Sequence, residues 1–295
     1  MRKDITRRSF LKSTIATGFG MALGTNLMSS CLNSNRLKNM EFGLVTYQWG
    51  KDWDLPTLIT NCEKAGIKAV ELRTQHAHGV ETTLSSSQRE EVKKRFADSN
   101  VTCVGYGSNF EYHDPDPDKL RWNIEQSKEY VKLCSDIGST GLKVKPNTLP
   151  DDVPYDKTID QIATSLNEVG KFAQDWGQVI RVEAHGRKTQ ELPNMKAIFD
   201  RVTESNVKIC WNSNVVDLNP PGFEENFNMV KQWIGDTVHV RELDDPEYPY
   251  QKLFSLLSDN NFKGWILLEA SSKPSDILTA LIQQKSYFDK FINTI

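Results

Sequence analysis

No run of uncharged apolar residues in this chain reaches the roughly 18–20 needed to cross a bilayer, which excludes a membrane bundle. Positive charge is not in excess. The 36 basic residues face 39 acidic ones for a net charge of −3, so the basic footprint of a nucleic-acid binder is missing. Cysteine is scarce, and the five present form no CxxC pair and no metal-ligand spacing. Cys103 and Cys210 fall in apolar, strand-like runs and Cys62 and Cys134 in helix-like ones, so all four read as small core residues. No GxGxxG follows the first strand-like run, and no linker rich in Pro, Gly or Ser divides the chain after residue 40. What remains, 38% hydrophobic and 25% charged over 295 residues, is the composition of a globular protein rather than a disordered or collagenous one.

Residues 1–30 read as an address rather than as part of a domain. Thr6-Arg7-Arg8-Ser9-Phe10-Leu11-Lys12 resembles a twin-arginine export signal. A weakly apolar stretch follows from Ser13 to Met28, and Ser29 and Ser30 precede Cys31 as in a lipoprotein cleavage site. The expectation is an exported, periplasmic or membrane-anchored protein, attached to a membrane only through a lipid on Cys31. Loss of this segment removes five basic groups and one acid, which makes the chain more acidic still. Residues 31–40 are a short linker.

From Glu41 onward a short apolar run and a longer amphipathic stretch alternate eight times. The strand candidates are Phe42–Tyr47, Ala69–Arg73, Val101–Tyr106, Gly141–Lys145, Val179–Ala184, Val207–Asn212, Thr237–Leu243 and Trp265–Ala270. Between them, Asp54 can cap a helix over Leu55–Lys64 that Gly66 ends. Ser87 and Glu90 have capping-box spacing before Val92–Ala97, and Asp118–Ile137 stops at Gly138. Further helices fit Lys157–Trp176, Pro193–Glu204, Phe223–Trp233, Tyr250–Ser258 and Ser275–Phe291. Eight such units in one domain, residues 41–295, predict an α/β fold of the (β/α)8 TIM-barrel type.

In that architecture the active site lies at the C-terminal ends of the strands. Strand alternation puts Lys143 with Lys145 on one face, Arg181 with Glu183 and His185, and His239 with Arg241. If those faces point inward, the mouth gathers Glu71, Lys145, Glu183, His185, Asn212, Arg241 and Glu269. Charged groups there need partners or a ligand, because burying an unpaired charge costs several kcal/mol. Trp49 and Trp211 offer a sugar-stacking platform. His76, His78 and His113 lie in loops and read as surface residues.

These residues resemble the xylose isomerase-like TIM barrels, specifically the sugar phosphate isomerase/epimerase group, over about residues 41–295. The likeness is carried by Val70-Glu71-Leu72-Arg73, Glu183-Ala184-His185-Gly186, Trp211-Asn212, His239-Val240-Arg241-Glu242-Leu243-Asp244 and Gly264-Trp265-Ile266-Leu267-Leu268-Glu269. It implies a divalent metal held by Glu, Asp, His and Glu from strands five to eight. The two glutamates would flank a sugar and move a proton beside its carbonyl. Glu183 and Glu269 match. Asn212 stands where the resemblance implies Asp, and Arg241 where it implies the metal-binding His.

Arginine cannot donate a lone pair to a metal, so the expectation is that no cofactor is bound and that Arg241 fills the metal's place between the two acids. Should Mn, Mg or Zn be present after all, Glu183, Glu269 and His185 would hold it. The resulting reading is a sugar isomerase or epimerase that takes a small-molecule carbohydrate. A keto-glycoside lyase or hydrolase on the same site, and a non-catalytic sugar-binding lipoprotein, are the alternatives. A zinc nuclease on the same barrel would need a histidine-rich site and a basic surface, and the chain has five histidines and a net negative charge.

Overall fold

The computed structural model describes residues 39–295. Segment 1–30 and most of the linker, with the expected export signal and Cys31, lie outside the described residues. Eight parallel strands close into a barrel, each followed by a helix in the order β1 to β8 and α1 to α8. The strands are β1 Met40–Val45, β2 Ala69–Arg73, β3 Thr102–Glu111, β4 Gly141–Lys145, β5 Val179–Glu183, β6 Val207–Asn212, β7 Ile234–Val240 and β8 Gly264–Leu268. The helices are α1 Leu55–Ala65, α2 Ser86–Ala97, α3 Pro117–Asp136, α4 Tyr155–Asp175, α5 Leu192–Phe199, α6 Phe223–Val230, α7 Tyr250–Asp259 and α8 Ile277–Asn293. This is the (β/α)8 barrel that the alternation predicts. Among the described residues no helix is long and apolar enough to cross a membrane.

The helix ends follow their capping chemistry. Asp54 accepts a hydrogen bond from the Thr57 N–H at 2.9 Å, and Gly66 closes α1 at φ 69°, in the left-handed region. The α2 capping box is built by Ser85 and Gln88, two residues before the Ser87–Glu90 pair that the sequence suggests. All four cysteines in the described residues are buried and unpaired, as small core residues should be. Burial pushes the Cys62 thiol up to about 12, so it stays protonated.

Three features depart from the sequence reading. Strand β3 runs on to Glu111, five residues past its apolar stretch. Strand β7 is shifted toward the N-terminus, to Ile234–Val240. A two-residue parallel ladder, Asn147–Thr148 against Gly186–Arg187, ties together the segments that follow β4 and β5. Gly186 is required there: its φ is 97°, and a Cβ would lie 1.8 Å from the Asn147 carbonyl oxygen.

The barrel interior is apolar at only one level, where Val45, Ala69, Val104 and Leu267 pack together. Elsewhere it is filled by charged side chains, and glycines make the room. A Cβ on Gly105 or Gly141 would meet the Arg181 guanidinium, and one on Gly107 would lie 2.6 Å from Glu71 Oε1. Arg181 is fully buried and forks onto the Asp236 carboxylate with two bonds of 2.8 Å. An arginine and an acid therefore stabilise the floor, and the remaining polar groups are stacked above it toward the open end.

Candidate active site

Glu183 ends β5 and Glu269 follows β8, and both are buried. Each has one oxygen taken by a cation. Lys143 of β4, itself fully buried, donates to Glu183 Oε2 at 2.6 Å and to the Ser108 carbonyl at 3.3 Å. Arg73 of β2 donates to Glu269 Oε1 at 3.0 Å and to Asn109 Oδ1 at 3.1 Å, and lies over the Tyr47 ring. The second oxygens face a common point. Asn212 donates to Glu183 Oε1 at 3.1 Å.

His239 of β7 stands between the two acids. Its Nδ1 is 3.9 Å from Glu183 Oε1 and 3.7 Å from Glu269 Oε2, and it is buried with no hydrogen-bond partner. Its Nε2 lies 3.4 Å from the Glu71 carboxylate, which fixes the ring from behind. The place expected for Arg241 thus belongs to His239, and the expectation is corrected. The cause is register. His239 pairs with Asn212 on β6 and Leu267 on β8, each two residues from the level of a glutamate, and from there its Nδ1 lies within 4 Å of both carboxylates. Residue 241 falls past the strand's end. Its backbone N–H donates to the Tyr250 hydroxyl, and its guanidinium forms no ion pair with Glu183 or Glu269. Lys143 and Arg73 supply the countercharge assigned to it.

Burial pushes the Glu183 carboxyl up, but the Lys143 ammonium and His239 outweigh it and hold the group well below the usual range. Burial and Glu183 raise Glu269, yet His239 and Lys143 bring it below its ordinary value. Burial alone would lower His239. The Cys210 sulfur and the Glu71 and Glu269 carboxylates reverse that and raise it well above 6.5. The acids are therefore ionised, and the imidazole proton stands where a cation would.

Glu183, His239 and Glu269 offer donor atoms within 4.8 Å of one another. Donors held about 2.1 Å from one ion lie roughly 3–4 Å apart, so the His239 distances fit a divalent cation. The orphaned Nδ1 is the donor such an ion needs. His185, the ligand expected for a metal, is not in this set: its Nδ1 is 3.2 Å from Asn147 Oδ1, on the ladder above β5. Asn212 brings an amide in place of a fourth charge.

Glu71, Asn212 and Glu269 are thus where the sequence puts them, with His185 and Lys145 half-buried at the rim. Trp211 is not part of a sugar platform. It neighbours Asn212 and must face the other way, into the Phe223 and Phe227 rings of the helical layer, where its Nε1–H donates to the Tyr248 hydroxyl at 3.0 Å. Trp49 is buried too, donating to the Ser272 carbonyl at 2.9 Å, and its edge borders a cavity between the loops after β1 and β8. His78 is not a surface residue. It is buried and neutral, its Nε2–H donating to the Arg73 carbonyl at 2.8 Å while Nδ1 accepts from the Val80 N–H. Desolvation lowers its pKa to about 4. The sequence reading weighed neither Arg73 nor Lys143 as a site residue. The inward alternation of Lys143 with Lys145 was the signal for the second.

Residues 59–214, more than half of the chain, match the family described as xylose isomerase-like TIM barrel. No curated protein matches the sequence. Among solved structures, 3-keto-D-glucoside 4-epimerase YcjR from E. coli superposes with a TM-score of 0.70 at 13% identity, covering 85% of this chain and 99% of that one. An L-ribulose 3-epimerase gives 0.72 at 13% identity, covering 86% and 95%. The IolI protein with a bound zinc atom gives 0.70 at 15%, covering 86% and 99%. At these identities the likeness speaks for the fold. With the family match and the barrel in agreement, the chain belongs to the xylose isomerase-like TIM barrels.

Proposed function

We propose that this protein is an exported sugar isomerase or epimerase that takes a proton from the carbon beside a carbonyl. One observation carries the reading: Glu183 and Glu269, paired with different cations, each turn their second oxygen to the same point beside His239, the Glu183 oxygen accepting from Asn212 as well. A sugar carbon held there lies within reach of two bases. One glutamate removes the proton and returns it to the neighbouring carbon in an isomerisation; in an epimerisation it passes its proton to solvent, and the other glutamate, protonated from solvent, delivers one to the opposite face. Asn212, Lys145 and His185 lie near that point, to bind hydroxyls and to stabilise the enolate oxygen. Glu71 positions His239. The names of the similar structures, two sugar epimerases among them, support the same class.

If a divalent ion such as Mn, Mg or Zn is held, Glu183, His239 and Glu269 hold it. It then supplies Lewis-acid polarisation of the carbonyl. Binding an ion there requires His239 to give up its proton. Keto-glycosides are substrates to include, because elimination from them begins with the same proton transfer. Export through residues 1–30 and lipidation of Cys31 complete the proposal, and the extracytoplasmic setting favours an unphosphorylated sugar.

The test is turnover of a panel of ketohexoses and 3-keto-glycosides, followed by NMR, with Glu183→Gln and Glu269→Gln as controls. Removing one base should cost about 10²–10⁴-fold in rate. Sugar binding without turnover in the wild type would leave a binding lipoprotein and overturn the enzyme.

A further inference from the structure

Most charges at the barrel's open end are consumed by one another. Lys143 closes on Glu183, Arg73 on Glu269, and Glu71 lies against His239. Glu111 stands opposite Lys145 in the β3–β4 register, yet its carboxylate is taken by the Asn147 side-chain amide. Arg241, past the end of β7, and Lys145 are left over. Half-buried at the end of β4, the Lys145 ammonium has no hydrogen bond and no ion pair among the described residues. It shares the inward face with Lys143 and stands one pleat, about 7 Å, nearer to solvent.

The position is built rather than incidental. The Asn147–Gly186 ladder fixes the chain just beyond Lys145 and His185, and Asn147 adopts a left-handed φ of 70° to make it. Burial and the neighbouring Lys143 push the Lys145 ammonium down to about 8, so it is charged at neutral pH but short of a counterion.

We propose that Lys145 is the carboxylate-binding residue of this pocket and that the substrate is a sugar acid, a keto-sugar whose end remote from the reacting carbon carries a carboxylate. The inference rests on the proposed function and narrows its substrate class. A half-buried ammonium without a partner has lost hydration and gained nothing in return. A carboxylate repays that with charge-assisted hydrogen bonds, which a neutral hydroxymethyl group does only weakly. One ammonium suits a carboxylate better than a phosphate dianion, which needs several donors or a guanidinium fork.

Three probes differ only at C6: D-fructose, D-fructuronate and D-fructose 6-phosphate. Their affinities are measured by calorimetry on wild type, Lys145→Met and Lys145→Arg. Wild type should bind D-fructuronate at least about tenfold more tightly than D-fructose, the effect of one charge-assisted bond. Lys145→Met should erase the preference, and Lys145→Arg should keep part of it. Equal affinities, a preference that survives Lys145→Met, or tighter binding of the 6-phosphate would each overturn the proposal. Proton exchange on D-fructose that depends on Glu183 and Glu269, without any preference for the acid, would overturn this inference and leave the proposed function standing. A Lys145-dependent preference with no turnover would do the reverse.

Discussion

Lys143→Met removes the cation that holds Glu183. Both side chains are buried, with 0% and 1% of their surface exposed, and the Nζ–Oε2 distance is 2.6 Å. Methionine fills nearly the same volume, so the loss is electrostatic. If Glu183 stays ionised, an unpaired buried charge costs about 3–5 kcal/mol. If it takes up a proton instead, doing so at pH 7 against an ordinary pKa near 4.3 costs about 3.7 kcal/mol. The two routes converge, so urea denaturation at pH 7 should show a deficit of about 3–4 kcal/mol. The sign with pH follows. In the wild type Glu183 is held below its unfolded pKa, so its stabilisation is present above about 4.3 and is lost as pH falls further. In the variant the carboxyl sits above its unfolded pKa, so its deficit grows as pH rises above about 4.3 and shrinks toward it. Lys143→Met with Glu183→Gln removes the charge altogether and should be more stable at pH 7 than Lys143→Met alone. A Lys143→Met deficit below about 1 kcal/mol, flat with pH, would refute the reasoning, because it would mean that the pair is solvated.

Asn212→Asp should tighten Zn²⁺ binding by at least about tenfold, read by competition with a chromophoric chelator, and His239→Gln should abolish it. Zn²⁺ affinity should also rise with pH, since binding expels the His239 proton. Asp217, buried and accepting from the Tyr248 hydroxyl at 2.6 Å, is pushed up to about 7 by burial with no cation beside it. Its folded pKa exceeds the unfolded one, so stability falls as pH rises from about 4 to 7. Asp217→Asn should flatten that slope in thermal melts and gain at most about 4 kcal/mol at pH 8. Cys31→Ser should move the protein from the membrane to the soluble fraction on cell fractionation.

Strands and helices were legible because each buried parallel strand is a short apolar run and four of the eight helices, α1, α2, α3 and α8, begin at a side-chain cap. Glu183 and Glu269 were legible for the same reason, since a charge at the end of an apolar run has one place to go. The choice between His239 and Arg241 was not. Alternation puts both on one face of the apolar run Thr237–Leu243, and which of them meets the glutamates depends on how far β7 slides against β6 and β8. Register is a property of strand pairs and leaves no mark in one strand's sequence. Lys143 and Arg73 were named as strand-end residues, but their pairing with Glu183 and Glu269 spans 40 and 196 residues of chain, which no local pattern encodes. The Asn147–Gly186 ladder is two residues long, and only its glycine hinted at a tight approach.

The most direct measurement is solvent deuterium entering the sugar. The protein is incubated in D2O with each ketose and ketouronate of the panel, and the label is located by NMR. One deuteron should enter at the carbon beside the carbonyl, at a rate that collapses in Glu183→Gln and Glu269→Gln. A bound sugar that gains no deuterium, or that gains it equally in both variants, would contradict the proposed function.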